Sequence, residues 1–426
     1  MSGEPLVLTS AACDPVDPLQ LFAAAGKAPR FYWEQPAARR FRVGIGCAAR
    51  VSVDGPGRFR DAQAGVHGIC GRLAWEGPGP DVATFVGGFA FAPSPTASSL
   101  WRGFPDGQLT LPEMTLSGDG ERFSRCLLKG SEWTGLRTRP LSLGRPASGI
   151  VEFANGGLER YAERVELALG DIRAGRLEKV VLARAADVTA GSTIDPVVWL
   201  VALRERFQTC TLFAVGEGDT VFLGATPERL VRVEGDAVIT AAIAGTAPRG
   251  ASQAADRALG NALRDSLKDS EEHAIVVRFI RSALDACCDS VEVDAEPRLL
   301  KTRTVQHLCT ELHAQRRHDA PATLLELVSR LHPTPAVGGV PRDAALDWLA
   351  AHESVARGWF AGPVGYLQSD GDGEFSVALR SALVCGSHAT AWAGAGSVAP
   401  SEPKAEFTET ELKLRTVLGP LLWGSP

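Results

Sequence analysis

Several things are scarce or missing in this chain. Its nine cysteines, at 13, 47, 70, 126, 210, 287, 288, 309 and 385, include no Cys-x-x-Cys pair. An odd and scattered set argues against a disulfide framework and against a structural zinc site. It fits reduced thiols in a cytosolic protein. No run of about 18 apolar residues occurs, so no helical membrane span is expected. The opening residues, MSGEPLVLTSAACDP, lack a basic segment followed by an apolar core, so no export signal is expected. Positive charge is not in excess: 44 Lys+Arg stand against 50 Asp+Glu, a formal net charge of −6. Neither nucleic acid nor an anionic membrane would be drawn to such a body. Methionine (2) and tyrosine (3) are rare, which reads as compositional bias. What is plentiful is glycine and proline, 45 and 27 residues, so many turns and short elements are expected. With 45% hydrophobic and 22% charged residues the chain is an ordinary folding one.

The 426 residues allow two or three domains or one large unit. Residues 1–150 read as short strands and loops, such as Leu6–Leu8 and Arg42–Ile45, and the stretches 50–60 and 100–115 look alike. Near 151 the pattern changes. Leu158, Tyr161, Val165, Ala168, Leu169 and Ile172 recur at helical spacing up to Gly175. Glu178–Ala186 follows as a strand, with Lys179, Val181 and Ala183 on one face. Segments 211–216, 220–223, 229–234 and 237–242 are strands with gaps too short for parallel crossovers, hence antiparallel. A helical block over 251–288 is broken near Asp269. A strand at 290–294 and a helix-rich part at 320–351 come next. Strands at 362–367, 374–384 and 390–394 precede a last helix over about 404–418. Strands come in runs between helical blocks. The fold class expected is therefore α+β, an α/β sandwich of large antiparallel sheets. Residues 1–150 would contribute strands and 151–426 the catalytic region, within one compact unit.

Some residues could carry chemistry. Lys179 stands near the start of an apolar strand. It is either a general base tuned by burial or a strand-end lysine whose tip reaches water. Glu228, in GATPERL, sits at a turn fixed by Pro227. It is either a proton donor or a surface glutamate paired with Arg229 or Arg232. In Lys268-Asp-Ser-Glu-Glu-His273, Asp269 and Glu272 resemble a capping box, while Glu272 could also be a hard-cation ligand. His273 reads as a core or capping histidine. Glu406 and Glu409 share a helix face with Lys413; an exposed ion pair is the plain reading. If that face is buried, two close carboxylates need a cation, and Mg²⁺ suits oxygen ligands. Arg380, within a strand, needs a buried partner such as a ligand carboxylate. The Gly394-x-Gly396 pair after a strand fails as a dinucleotide fingerprint, but would let backbone N–H groups approach an anion.

In order along the chain stand GGFAFAP, LWRGFP, LEKVVLARA, FLGATPERL, AIAGTAPRG, LKDSEEHAIVV, TVQHLCTEL, LHPTPAVGGVP, WFAGPVGY, VALRSALV, AWAGAGSVAPSEP and EFTETELKL. Together they resemble the chorismate-utilising enzyme family, densely over 151–418 and loosely over 85–116. The resemblance implies two large, mostly antiparallel sheets with helices outside, a monomer, and a cytoplasmic enzyme of menaquinone or siderophore synthesis. The implied activity is Mg²⁺-dependent, reversible isomerisation of chorismate to isochorismate. By the same resemblance Lys179 is the base that activates water against C2, and Glu228 the acid that protonates the departing C4 hydroxyl. Burial should push the lysine down and the glutamate up. Glu272 with Glu406 and Glu409 would hold Mg²⁺. Arg380, Lys413 and the backbone at Gly394 and Gly396 would receive the side-chain carboxylate. Gly245 and Thr246 would line the ring-carboxylate end, and His307 would lie near the ring. Ala244 stands where the aminodeoxychorismate branch has a nucleophilic lysine, and anthranilate synthases lack a match to Lys179, so both activities are disfavoured. The rivals are a salicylate synthase, which goes on to eliminate pyruvate, and a non-catalytic chorismate-binding protein. An unrelated Mg²⁺-dependent hydrolase is a third, for which no phosphate loop or activated nucleophile is present.

Overall fold

Along Thr211–Glu217, Leu212 and Ala214 point to one side and Phe213 and Val215 to the other, and all four are buried. The same alternation runs through Arg30–Gln35, where Phe31 and Trp33 oppose Tyr32. Strands apolar on both faces belong to a sheet covered on both sides. The computed structural model describes residues 4–422 apart from 78, 94–98, 132–140, 142–146, 148–149, 155–156 and 355. Among these residues are a 13-stranded sheet and a 10-stranded sheet. Every strand pair is antiparallel except Leu6–Ala12 with Leu73–Glu76. One core lies between the sheets, with Trp33, Phe213, Phe222 and Trp392 from the larger meeting Phe85, Phe89, Val231 and Phe375 from the smaller. A second core lies on the far face of the larger sheet. There the helices Pro18–Ala24, Pro196–Arg206 and Pro403–Leu422 cover Leu212, Leu223 and Ala391. Strands from the first 150 residues occur in both sheets. Among the described residues no helix is long and apolar enough to cross a membrane.

The expected α+β class and antiparallel sheets are what the structure has, and several local readings need correction. The stretch 50–60 is a strand only over Ala49–Val53; Arg58–Cys70 is a helix. Phe59, Ala62, Val66 and Ile69 mark its buried stripe, but Gly65 and Gly68 dilute the signal. Gly65 is small because Val51 packs on it: a Cβ there would stand 2.6 Å from Val51 Cγ1. Residues 298–316, where the sequence pattern marks no element, hold two strands, Arg298–Lys301 and Val305–Arg316. The first six residues of the longer strand are all buried, so it lacks the polar alternation that marks a strand. The expected strand over 374–384 is two, Gly373–Val377 and Ser381–Cys385, lying in different sheets. Arg380 therefore lies in the link between strands, at φ 48°. Gly394 and Gly396 fall within the strand His388–Ser397 and pair with Ala183 and Val181. The helix break comes at Ser266, which caps Leu267–Asp285 by accepting from the Asp269 N–H. Asp269 answers by accepting from the Ser266 hydroxyl at 2.5 Å, so the capping box starts at 266 and leaves Glu272 free of it.

Toward one end of the sandwich the sheets are joined through Glu374, whose side chain is wholly buried. It accepts from Gln35 Nε2 at 2.8 Å and Arg229 Nε at 3.1 Å, and Arg40 lies 3.5 Å from its second oxygen. Arg40 and Gln35 belong to the larger sheet, Arg229 and Glu374 to the smaller. Removing one partner of a buried ion pair costs about 3–5 kcal/mol, because the remaining charges lose their counter-ion. Glu374→Ala is expected to destabilise the fold by about that amount. A thermal melt by circular dichroism checks this, and an unchanged midpoint would contradict the bridging role.

Candidate active site

Two of the short links that carry the chain between the sheets lie at one cleft. Thr226-Pro227-Glu228 leads from the strand Thr220–Thr226 of the larger sheet to Arg229–Glu234 of the smaller. Ala378-Leu379-Arg380 leads back from Gly373–Val377 to Ser381–Cys385. Backbone crossing a dry core must find partners for its polar groups, and these links satisfy each other. The Val377 N–H donates to the Glu228 carbonyl at 3.0 Å, and the Ala225 N–H to the Arg380 carbonyl at 3.2 Å. The Glu228 N–H donates to Thr226 Oγ1. Glu228 and Arg380 are thereby set on the wall of one shared cleft.

Glu228 is buried. Desolvation pushes its carboxyl up to about 7, and Lys179, Lys413 and Arg380 act the other way. The surface-turn alternative for Glu228 is thus excluded: Arg229 turns to Glu374, and Arg232 pairs with Glu234. Arg380 donates through Nη2 to His307 Nε2 at 2.7 Å. A guanidinium only donates, so Nε2 is an acceptor and Nδ1 carries the proton. Nδ1–H faces the Gly245 carbonyl at 3.2 Å and Thr246 Oγ1 at 3.1 Å. Burial, then Arg380 and Lys413, hold His307 well below its ordinary value, so the ring is neutral. Among the described residues Arg380 Nη1 is buried with no hydrogen-bond partner. Gly245 is the extra residue of a bulge opposite His307, at φ 74°. A Cβ there would stand 3.1 Å from Asp269 Cβ.

Lys179, at the start of the strand Lys179–Ala190, has no exposed surface, and its Nζ lies 2.8 Å from Glu272 Oε1. The snorkelling alternative for this lysine therefore fails. It does not line the cleft directly; its neighbours Glu272 and Gly396 do. A Cβ on Gly396 would come within 2.9 Å of both Lys179 Cε and Glu272 Oε1, so only glycine leaves room for that pair. Gly394 also lines the cleft, and its carbonyl accepts from Lys413 Nζ at 2.8 Å. Their ladder partners Val181 and Ala183 send their own N–H groups away from this strand, to the Gly338 carbonyl and to Glu353, so the pairs at Gly394 and Gly396 exchange no hydrogen bonds and the N–H groups of both glycines point away from the ladder.

Three glutamates gather on this side. Burial raises Glu272, but Lys179, Lys413 and Lys268 outweigh it and hold the carboxylate below its ordinary value. Glu409 lines the cleft and pairs with Lys413 at 2.7 Å. Glu406 lies deeper, almost wholly buried, 3.0 Å from Lys268 Nζ. Burial and the charge of Glu409 both push its carboxyl up. Buried like charges this close call for cations, and carboxylate oxygens suit Mg²⁺, which commonly takes one or two carboxylates and fills its shell with waters and ligand oxygens. Among the described residues no group of three His, Cys, Asp or Glu side chains is placed to hold a metal ion by itself. The donor chemistry fits an ion shared with a bound anion. His273 turns away and hydrogen-bonds Thr310 at 2.8 Å, as a core histidine.

Two features of the site were not visible in the sequence. Nothing along the chain marks a partner for Lys268, which the fold places to neutralise Glu406. Arg357 lines the cleft and makes a buried pair with Glu353, donating also to the Val181 and Val337 carbonyls at 2.6 and 2.8 Å. It braces the strand that carries Lys179. No spacing rule links 357 to 181. Apolar walls come from Val181, Ile243, Val337, Phe360, Leu379 and Trp392.

Known proteins share this arrangement of chain. A family model described as "Chorismate binding enzyme" matches residues 2–129 and 139–422. The salicylate biosynthesis isochorismate synthase of Pseudomonas aeruginosa is 39% identical over 430 residues, covering 96% of this chain and 88% of the relative. Isochorismate synthase MenF of Bacillus subtilis is 31% identical, covering 98% and 93%. The solved structure of MenF, the menaquinone-specific isochorismate synthase from Escherichia coli, superposes with a TM-score of 0.81 at 28% identity, covering 99% of this chain and 96% of that one. A paired-crossing cleft holding an acid, a lysine and a bank of glutamates is thus set in a chain that belongs to the chorismate-binding enzyme family.

Proposed function

We propose that this chain is an isochorismate synthase. It converts chorismate reversibly to isochorismate by adding water at C2 and releasing the C4 hydroxyl. One observation carries the reading: a carboxyl raised to about 7 by burial lines the cleft, and Lys179, held just behind the cleft wall by Glu272, lies near enough for its charge to reach that carboxyl. That is the pairing an acid–base 1,5-exchange of hydroxyl groups needs, since a donor and an acceptor of protons must face one substrate together. A protein that only binds the dianion has no use for a half-protonated buried acid. The nine unpaired cysteines suit a reducing cytosol.

In this mechanism Lys179 is the base that takes a proton from the water that adds at C2. Glu228 in its acid form gives a proton to the departing C4 oxygen, and the ring double bonds shift between them. Arg380, through its unpartnered Nη1, and Lys413 receive the side-chain carboxylate. His307, locked by Arg380 on one nitrogen and by Gly245 and Thr246 on the other, keeps that guanidinium in place. Glu272, Glu406 and Glu409 would hold Mg²⁺, which when bound supplies positive charge for the ring carboxylate. Local cations thus outweigh the overall net charge of −6 in gathering a dianion. The apolar walls exclude bulk water from the reacting faces.

Incubation with chorismate and Mg²⁺, followed by NMR, is expected to show isochorismate without pyruvate; pyruvate and salicylate as the products would contradict this reading. Lys179→Ala and Glu228→Gln should each lower kcat/KM by roughly 10²- to 10⁴-fold, the usual worth of general acid–base catalysis. Their circular dichroism spectra should match the parent; activity lost only through unfolding would remove the assigned roles. A group raised to about 7 is protonated below that pH and ionised above it. As the proton donor, Glu228 should therefore give kcat/KM an alkaline limb near pH 7 in the free enzyme, and a profile flat up to pH 9 would count against it.

A further inference from the structure

Glu272, Glu409 and Glu406 are each already paired with a lysine: Lys179 with Glu272, Lys413 with Glu409, and Lys268 with Glu406. The three lysines differ in what else holds them. Lys179 is fully enclosed. Lys413 also donates to the Gly394 carbonyl. Lys268 is a third exposed, and its one hydrogen bond among the described residues goes to Glu406 Oε1 at 3.0 Å. Its charge interacts with Glu406, Glu272 and Glu409 together, so the ammonium stands where all three carboxylates favour a cation. It also sits one helical turn before Glu272 on the same helix, with a stem long enough to swing into solvent.

We propose that Lys268 is the built-in competitor of the divalent ion: its ammonium and the ion are alternatives for the Glu406 carboxylate, and the ion binds by sending this lysine out to solvent. The proposal rests on the reading that Glu272, Glu406 and Glu409 hold Mg²⁺. Of the three lysines only Lys268 can leave without disturbing the acid–base pair or the carboxylate-binding cations. The exchange has two consequences. The buried Glu406 is never left without a counter-charge, which would be costly. Metal affinity is also set lower than the carboxylates alone would allow, because binding must first break a charge-assisted hydrogen bond.

The test is direct binding of Mn²⁺ to the full chain without substrate, read from the electron paramagnetic resonance signal of free Mn²⁺ at pH 8 and fixed ionic strength. Lys268→Met is expected to lower the dissociation constant at least about tenfold, the scale of one charge-assisted bond to a partly buried carboxylate. Lys268→Gln, which also removes the charge, should do the same and stands in if the methionine variant folds poorly. Lys268→Arg keeps a competing cation and should bind no more tightly than the parent. Affinity unchanged or weakened in Lys268→Met and Lys268→Gln, or tightened equally in Lys268→Arg, overturns the proposal. A parent chain whose Mn²⁺ binding survives Glu272→Gln undiminished instead overturns the metal reading beneath it.

Discussion

A chain that leaves one sheet for another must take its backbone through an apolar core, and this constraint organises the molecule. Two such links run side by side, each accepting a hydrogen bond offered across the other. Satisfying polar backbone in that way leaves two side chains, Glu228 and Arg380, nowhere to go but a shared dry cleft. The cost of burying them is high and is met locally. Glu228 moves toward its neutral form. Arg380 finds His307, at the expense of a left-handed backbone that a non-glycine residue rarely adopts. What reads locally as strain and desolvation is therefore the source of the site's chemistry.

Opposite this wall the problem is the reverse: too much negative charge in too little water. Burial pushes Glu272 and Glu406 toward protonation; Lys179, Lys413 and Lys268 win at Glu272, while Glu406, beside Glu409, stays raised despite Lys268. Neutralisation is partitioned. Lys179 and Lys413 hold their glutamates while facing, or lying just behind, the substrate space. Lys268 holds the deepest carboxylate from the solvent side. A site built of alternating charges can take up a dianion with a dication and keep its balance. The glycines belong to the same economy of space. Gly396 is the floor on which the Lys179–Glu272 pair rests, and Gly245 makes the bulge that turns a carbonyl toward His307.

Much of this was legible along the chain. The helix of Leu158–Arg173, the lysine strand and the last helix follow from periodicity, because each buries one stripe or face against one neighbour. Lys179 stands out as a charge in an apolar strand and Glu228 as a carboxyl on a turn held by proline, whereas Glu272 reads locally as part of a helix cap and Glu409 with Lys413 as an exposed ion pair, and only the family resemblance draws these three to a site. Readings failed where burial is two-sided or where a link interrupts a strand. Val305–Arg316 hides its period under continuous burial. Residues 374–384 look like one run of strand, since Ala378 to Arg380 contain no glycine or proline to announce the crossing.

The sequence by itself determined the elements, the class of sheet and the stock of charged groups, because propensity and hydrophobic period act over a few residues. Only the tertiary structure decided which of those charges are buried and which face each other. Glu228 as a surface turn and Glu228 as a buried acid have the same neighbours along the chain. They differ in whether Lys179, from a strand about fifty residues earlier, and the 377–380 link, some hundred and fifty later, close over it. Desolvation and Coulomb energy depend on distance in space, and that distance is set by how the two sheets pack.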